Sequence, residues 1–157
     1  MTRAILNHAL AQEAFDMVSP HIEAFLQKYA NQTDMAVVIS AVEAINSNDA
    51  RKSFKDNCLL VTGFGDTDGW ALDYERIALS KAEKSVRTGL SSAMVEPQYF
   101  CEGDTPYWGS VVLDGIVVGC SGVEGFYDEM FSMWIAAAIK ALCKKRIAEL
   151  PKGQHFI

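Results

Sequence analysis

The residues best suited to chemistry lie in the sequence GCSGV at positions 119–123, where a predicted strand turns into a predicted helix. This turn approximates the nucleophile elbow G-x-S-x-G, in which a serine sits exposed on a sharp strand-to-helix bend. Position 123 is valine, however, where the elbow needs a glycine to avoid a steric clash. A serine nucleophile also needs a base, and the three histidines lie at positions 8, 21 and 155. The pattern therefore disfavours a serine hydrolase.

Two other interpretations of this turn remain open. Ser121 fits the N-cap of the following helix, with Glu124 as its partner in a capping box S-x-x-E. Backbone N–H groups at such a turn can instead hold a carboxylate or a phosphate, but Glu124 and Asp128 would oppose an anion there. The capping interpretation, which is purely structural, is the better supported of the two.

Other potential binding motifs are weaker. The glycines of LLVTGFGDTDG (59–69) miss the G-x-G-x-x-G spacing of a dinucleotide-binding turn by one residue. The four cysteines have no C-x-x-C spacing, which argues against a structural zinc site, and we predict no metal centre. Cys101 is expected to be exposed and the other three cysteines to be inert core residues. His8 and His21 are expected to be structural or solvated rather than ligands of a metal or haem iron.

The composition limits the class of protein. Of 157 residues, 50% are hydrophobic and 22% are charged, which fits one globular domain over residues 1–157 and argues against a disordered chain. The formal net charge of −6 argues against a surface for nucleic acid or for an anionic membrane. Residues 1–18 lack the apolar centre of a signal peptide, and no membrane span is indicated. We therefore expect a cytoplasmic protein with reduced thiols.

The first half of the chain has both helical and extended patterns. Residues 3–18 have helical spacing, Ser19-Pro20 is expected to kink or restart the helix, and the apolar stripe then continues to about residue 30, so that 1–30 form a helical segment. The apolar, β-branched sequences 35–42 and 58–64 predict two strands, and the first should be central in its sheet. Residues 43–57 predict a loop with one helical turn.

The clearest amphipathic helix is predicted over residues 72–92. Its apolar stripe is formed by Ala78, Ala82, Val86 and Leu90, and the small alanines suggest close packing against a neighbour. The charged residues of this segment are expected largely away from the stripe, and they are Glu75, Lys81, Glu83, Lys84 and Arg87.

The last part of the chain predicts a hairpin followed by a buried helix. Asp114-Gly115 between VVL and IVVG is typical of a type I′ turn, which needs positive φ at both central residues. Residues 124–148 are apolar on most sides and predict a buried helix, in part against another subunit. Because short hairpin connections imply antiparallel pairing, residues 35–148 predict an α+β fold of a sheet with packing helices.

Three segments together resemble a known family: MAVVISAVE (35–43), ALDYERIALSKAEKSVRTGLSS (71–92) and VVLDGIVVGCSGVEGFYDEMFSMWIAAAI (111–139). This is the GlcG/HbpS-like family, also called the haem-degrading domain, which includes the C-terminal domain of PduO-type corrinoid adenosyltransferases. The sequence 119–122 takes the place of the family's G-x-x-G-V-S-G hairpin ending, and 127–129 takes the place of its acidic pair. The family's glycine-rich turn after the first strand is replaced by VEAINSNDARKSF.

The resemblance implies a profilin-like fold, in which an antiparallel sheet is flanked by helices, and assembly into homo-oligomers. Some relatives bind haem or take part in its breakdown, which suggests haem as a ligand, although no haem-ligating residue can be matched here. We expect the ligand pocket between the sheet and the helices 72–92 and 124–148. Its mouth should contain Gly103, Thr105, Pro106, Tyr107, Trp108, Ser121, Gly122, Glu124 and Asp128.

Two functions from different classes fit these observations. The first is a non-enzymatic, homo-oligomeric module that binds a small molecule, with haem or another tetrapyrrole as the ligand that the family suggests. The second is a small metabolic enzyme that uses Asp128 or Glu124 as a general base on an organic acid. Both acids also suit a helix N-terminus for electrostatic reasons alone, which favours the first hypothesis.

Overall fold

The computed structural model describes residues 3–42, 52–70 and 72–157, so most of the predicted 43–57 loop lies outside the described residues. The secondary-structure elements follow the predicted order of helix, strand, strand, helix, hairpin and helix. The helices and strands are α1 (His8–Phe25), β1 (Met35–Ala41), α2 (Phe54–Asn57), β2 (Leu60–Phe64), α3 (Tyr74–Thr88), β3 (Ser110–Leu113), β4 (Ile116–Ser121) and α4 (Gly125–Ala148).

Within the described residues, four strands form one antiparallel sheet in the order β2-β1-β4-β3. The central position of β1 is confirmed, since Val38 lies opposite Val61 of β2 on one side and Gly119 of β4 on the other. The predicted hairpin joins β3 to β4, with φ angles of 50° at Asp114 and 82° at Gly115, as a type I′ turn requires. The fold is therefore α+β, an antiparallel sheet flanked by helices.

Helices cover both faces of this sheet. Alternate residues of β1 point to opposite faces, so Val37 and Ile39 pack with α1 and α4, whereas Ala36 and Val38 pack with α3. Every residue of β1 is buried, which is why its sequence is apolar throughout rather than alternating. The sheet is thus the middle of three layers.

The N-terminal helix continues through Pro20, so the predicted restart at Ser19-Pro20 is wrong. Proline has no N–H to donate to the carbonyl of Asp16, and the Ser19 hydroxyl donates to that carbonyl instead, at 3.4 Å. The helix begins at His8 rather than at residue 3, because Asn7 caps it by accepting a hydrogen bond from the Leu10 N–H at 3.0 Å.

Helix α3 lies unusually close to β4, as its small residues predict. A Cβ atom at Gly119 would be 2.9 Å from the Ala78 carbonyl oxygen and 3.1 Å from the Ala82 Cβ, so only glycine fits. Leu90 was predicted on the buried stripe but is 41% exposed, because the helix ends at Thr88 and Gly89 reverses the chain with a φ of 71°.

The two lysines of α3 correct the sequence prediction more seriously. Lys81 and Lys84 were expected away from the apolar stripe, yet both are buried beneath the surface. Position 81 lies three residues after Ala78, and helical residues three apart share a face. The long side chains therefore enter the interior beside the alanines.

Two smaller findings complete the architecture. The helical turn predicted within residues 43–57 is present as α2, capped by reciprocal hydrogen bonds between Ser53 and Asp56. In the described part of the chain, the helices are all too short or too polar to cross a lipid bilayer.

Candidate functional site

A cleft of about 770 Å³ opens where the end of β4 turns into α4, and we call it the α3–α4 cleft. It is bordered by the turn that follows α1, by the first half of α3, by the loop before β3 and by the start of α4. Its lining consists of Tyr29, Ala30, Gln32, Leu72, Tyr74, Ile77, Lys81, Tyr107, Trp108 and the continuous segment 121–128.

The structure brings six of the nine predicted mouth residues together in this cleft, namely Tyr107, Trp108, Ser121, Gly122, Glu124 and Asp128. Gly103 and Thr105 instead border a separate cavity of about 260 Å³ beside α3. Pro106 borders neither of these two cavities. The loop from residue 103 to 108 therefore divides, with only its last two residues facing the cleft.

The floor of the cleft contains a buried ion pair between α3 and α4. The Lys81 Nζ donates to Asp128 Oδ2 at 2.8 Å and to the Cys120 carbonyl oxygen at 2.9 Å. The two side chains are only 2% and 1% exposed. Two charges removed from water to this extent persist only when each has partners, so this pair ties the two helices and β4 together.

Asp128 also closes the turn that precedes its own helix. Its Oδ1 accepts a hydrogen bond from the Val123 N–H at 3.2 Å, and a backbone hydrogen bond from Gly122 acts on the same carboxylate. Burial raises the pKa of Asp128 to about 6, because Lys81 and the backbone donors offset only part of the desolvation. A carboxyl with this pKa can exchange a proton near neutral pH.

Gly109 explains how the ion pair is packed. Its φ of 142° lies in the region that favours glycine, and a Cβ there would be 2.6 Å from the Asp128 Cβ and 3.0 Å from the Lys81 Nζ. The Gly109 carbonyl accepts a hydrogen bond from the Ser132 hydroxyl at 2.7 Å. Any side chain at position 109 would therefore push the pair apart.

Aromatic side chains form the walls and the rim of the cleft. Tyr29, Tyr107 and Phe126 are more than half exposed, and Trp108 is 37% exposed. The Trp108 indole packs on the first turn of α4, since a Cβ at Gly125 would be 3.0 Å from its Cε2 atom. Large apolar side chains that remain exposed around one concave surface are typical of a binding site.

The predicted capping box of Ser121 and Glu124 is wrong. Ser121 is the last residue of β4 and is buried, whereas Glu124 itself is the N-cap of α4, without a side-chain capping bond. The N-cap of α4 lies three residues later than the capping box predicted, because β4 continues through Ser121 in its pairing with Ala36. The Val123 N–H, which a capping Ser121 would be placed to accept, donates to Asp128 instead.

Gly122 has a packing role in the same turn. A Cβ at this position would be 2.6 Å from the Asp34 carbonyl oxygen and 2.8 Å from the Met35 Cα, so a side chain would collide with the start of β1. The Gln32 amide donates to the Gly122 carbonyl and to the Asp34 carbonyl, which fixes this border of the cleft.

The second buried lysine lies outside the cleft. The Lys84 Nζ donates to the Thr105 carbonyl oxygen at 2.8 Å and lies 3.9 Å from the centre of the Phe100 ring. Burial lowers the pKa of Lys84 below its usual value, an effect that the nearby Asp104 carboxylate only partly opposes. Thr105 therefore helps to cover a buried cation rather than to line the cleft.

Histidines and cysteines lie away from the cleft. The His8 ring is hydrogen-bonded to the Leu59 carbonyl oxygen at 2.7 Å, and the residues His21 and His155 are exposed. Cys101 is exposed as predicted, whereas burial raises the pKa of the Cys120 thiol to about 12, so that thiol stays protonated and unreactive. The described residues contain no cluster of three or more groups suited to a metal ion.

Sequence reasoning named six of the 17 lining residues in the described chain and missed the other 11, including Tyr29, Lys81 and Phe126. A signal for Lys81 was present, because its spacing from Ala78 places it beside the buried stripe. No local signal could reveal Tyr29, since it precedes the first strand and meets α4 only through the tertiary fold.

Solved structures of similar fold supply the comparison with known proteins. The Ybr137w protein has 18% sequence identity and a TM-score of 0.51, over 85% of this chain and 77% of that chain. The Klebsiella pneumoniae protein ORFY, of the DUF336 family, has 12% identity and a TM-score of 0.56, over 90% of this chain and 94% of that chain. Searches against protein-family models and against curated proteins gave no match. DUF336 is the GlcG-like family, so this chain shares the fold of a protein from the family that its sequence resembles.

Proposed function

We propose that this protein is a small-molecule-binding domain of the GlcG/HbpS-like type and that the α3–α4 cleft holds the ligand. The observation that carries the proposal is the combination of a cleft of about 770 Å³ with exposed aromatic walls and a buried ion pair at its floor. Pockets for small organic molecules have volumes of this order, mostly apolar walls and a few fixed polar groups.

Haem or another tetrapyrrole is the ligand suggested by the family resemblance, and the cleft lining limits how it would bind. The lining residues of the described chain include no histidine, methionine or cysteine. Tyrosine is an accepted axial ligand of haem iron, and the cleft offers Tyr29, Tyr74, Tyr107 and Tyr127. A haem in this cleft would therefore take its protein ligand from a tyrosine, and the bound iron would supply redox or oxygen chemistry.

Hemin titration with difference spectroscopy tests this proposal. Binding in the cleft predicts a saturable Soret shift for the wild type that is strongly weakened in Trp108→Ala, because the indole forms one wall. Tyr99→Ala is the matched control, since Tyr99 is 61% exposed and lies outside the cleft lining. Equal shifts in all three proteins would show that hemin binds elsewhere and would remove haem as the ligand.

A thermal-shift screen with small aromatic compounds tests the broader claim of ligand binding. A compound that binds the folded state raises the melting temperature in a concentration-dependent manner. The increase should disappear in Trp108→Ala and remain in Tyr99→Ala. A screen in which the two variants respond alike would contradict the assignment of the cleft.

Catalysis is the second candidate function, and the pKa of Asp128 favours it. A carboxyl whose pKa is raised by burial to about 6 and which borders a cleft can act as a general base near neutral pH. Asp128 is better suited to this role than Glu124, which is exposed on the cleft rim. Organic acids are the substrates to screen. Loss of a detected turnover in Asp128→Asn, with the fold retained, would support the enzyme, and unchanged turnover would exclude Asp128 as its base.

Self-association is part of the proposal. The outward side of α4 carries apolar side chains at helical spacing, Phe126, Met133, Ala137 and Ala141, and these residues are exposed in the single chain. A second copy of the chain would cover them. Light scattering should detect an oligomer that Met133→Glu dissociates and that the control Lys152→Glu leaves intact; a monomeric wild type would refute this point.

The proposal of a cytoplasmic location rests on the redox state of the cysteines. All four cysteines are free thiols in the structure, which is the state expected in a reducing compartment. Fractionation of cells that express the full-length protein tests this point.

A further inference from the structure

We propose that the α3–α4 cleft selects ligands that carry a positive charge, specifically an ammonium group attached to an aromatic body. This inference rests on the proposed function, because it assigns a ligand class to the same cleft, and it disfavours the two anionic candidates for that cleft, haem with its propionates and the organic acids. Three independent features of the cleft support it: its uncompensated charge, the occupied anion position at its floor and its aromatic walls.

The charges of the lining leave one carboxylate without a partner. Lys81 and Asp128 neutralise each other at 2.8 Å, and Glu124 is the remaining charged residue among the lining residues of the described chain. The Glu124 side chain makes no capping bond, hydrogen bond or ion pair within that part of the chain. An exposed carboxylate at the rim of an aromatic cleft attracts a cation and repels an anion.

The position that would hold a ligand anion is already filled by the protein itself. Backbone N–H groups before a helix commonly bind a phosphate or a carboxylate. Here the carboxylate of Asp128 accepts the Val123 N–H at 3.2 Å and a backbone hydrogen bond from Gly122. A ligand anion would meet this carboxylate and that of Glu124, so the turn does not offer an anion site.

The aromatic walls provide the other half of a cation site. The faces of tyrosine and tryptophan rings attract cations, and quaternary ammonium groups are commonly held by several such rings. Trp108 packs on Gly125, the residue directly after Glu124, so that an indole and a free carboxylate lie at the same end of the cleft. Tyr29 also lines the cleft, but the neighbouring Lys28 ammonium already lies 5.1 Å from its ring centre, which leaves the Trp108 end as the place for a ligand cation.

The test compares three probes that share a benzyl or phenyl group and differ in charge: benzyltrimethylammonium, benzyl alcohol and benzoate. Binding is followed at neutral pH and low salt through the Trp108 indole N–H resonance, assigned with Trp108→Phe. We expect the cation to bind most tightly and benzoate most weakly. Raising the salt concentration should weaken the binding of the cation, because salt screens its attraction to the carboxylate, and should not weaken the binding of the other two probes.

Two matched variants separate a local carboxylate from net charge. Glu124→Gln should weaken the binding of the cation by about three- to tenfold, because it removes the attracting carboxylate, and should leave the affinity for benzyl alcohol unchanged. Glu129→Gln changes the net charge equally but lies outside the cleft lining, so it should leave all three affinities unchanged.

The outcomes distinguish this inference from the proposed function. The charge selectivity would be overturned if benzoate bound as tightly as the cation, or if Glu124→Gln lowered the affinity for all three probes equally. Either result would still leave the cleft as a ligand site. If none of the three probes, hemin or the screened aromatic compounds perturbs the Trp108 resonance, both the proposed function and this inference are overturned.

Discussion

The two faces of the sheet are built differently. The face under α1 and α4 is closed by a large set of buried apolar side chains, including Val37, Ile39 and Ile135. The face under α3 has a smaller apolar cluster, and two buried lysines and several serines complete it. The first face holds the fold together, whereas the second brings charged groups to the border of the cleft.

Serines satisfy the polar groups of the α3 face. The Ser110 hydroxyl donates to the Lys81 carbonyl oxygen at 2.8 Å and lies 2.7 Å from the Ser85 hydroxyl, which must then be the donor. The Ser92 hydroxyl accepts the Gly109 and Ser110 N–H groups, each at 2.9 Å. Such a network is stable only when each of its members has a partner.

Within the α3 face, the two lysines show two ways to bury a cation. Lys81 is matched by the opposite charge of Asp128, whereas Lys84 is matched by a carbonyl dipole and an aromatic ring. In a buried ion pair, each residue depends on the other for its stability, because removal of one residue leaves the charge of the other buried without a partner. A neutral partner carries a smaller penalty, so the two lysines should respond differently to the same substitution.

The largest effect is expected from Lys81→Met, which leaves the buried Asp128 without its cation. The free energy of unfolding should fall by about 3–5 kcal/mol, measured by urea denaturation at neutral pH. The double variant Lys81→Met with Asp128→Asn should recover part of this loss, since it removes the stranded charge. A single variant as stable as the wild type would show that the pair contributes nothing to stability.

On the apolar face, Ile135→Ala should lower the free energy of unfolding by about 3 kcal/mol, because the fully buried side chain leaves a cavity. This loss should not vary with pH, in contrast to the effect of Lys81→Met. Lys145→Ala, which removes an exposed ion pair with Glu149 on the same helix, is the control. It should lower the free energy of unfolding by less than about 0.5 kcal/mol. A loss of stability in Ile135→Ala that varied with pH would contradict the separation of the two faces.

The pH dependence of stability should come from the α3 face through Asp128. Its folded-state pKa of about 6 lies above the usual value of 3.8, so its contribution is present at low pH and is lost as the pH rises through about 6. The stability of the wild type relative to Asp128→Asn should therefore fall by about 3 kcal/mol as the pH rises from 3.8 to about 6. Urea denaturation of both proteins across the pH range measures the difference. A difference that grows with pH would show that Lys81 outweighs desolvation.

The smallest effect is expected from Lys84→Met, which removes a cation without stranding a charge. Methionine keeps the contact with the Phe100 ring, and the main loss is the hydrogen bond to the Thr105 carbonyl. The free energy of unfolding should fall by about 1 kcal/mol in the same urea assay. A loss as large as that of Lys81→Met would remove the distinction between the two buried lysines.

Local patterns predicted the framework because they are set by short-range physics. Asp114-Gly115 predicted its hairpin from the conformational preference of those two residues alone, and the apolar run of β1 predicted a central strand. The predictions failed where a tertiary contact replaced a local one. Asp128 rather than Ser121 accepts the Val123 N–H, and α1 continues past Pro20 with the Ser19 hydroxyl donating to the Asp16 carbonyl.

The candidate site could be predicted only in part for the same reason. The lining residues that were found, Ser121, Gly122, Glu124, Asp128 and the pair Tyr107-Trp108, are close in sequence to the hairpin and its turn. Thr105 was grouped with them by sequence proximity, but its carbonyl accepts from Lys84, which draws that part of the loop away from the cleft.

The amino-acid sequence by itself determined the order of the elements, the antiparallel hairpin and the apolar faces, since each of these depends on neighbours a few residues apart. Only the tertiary structure decided that Lys81 meets Asp128, that Trp108 covers Gly125 and that Tyr29 lines the same cleft. These groups are far apart along the chain, and a charge is tolerated in the interior only where the complete fold supplies its partner.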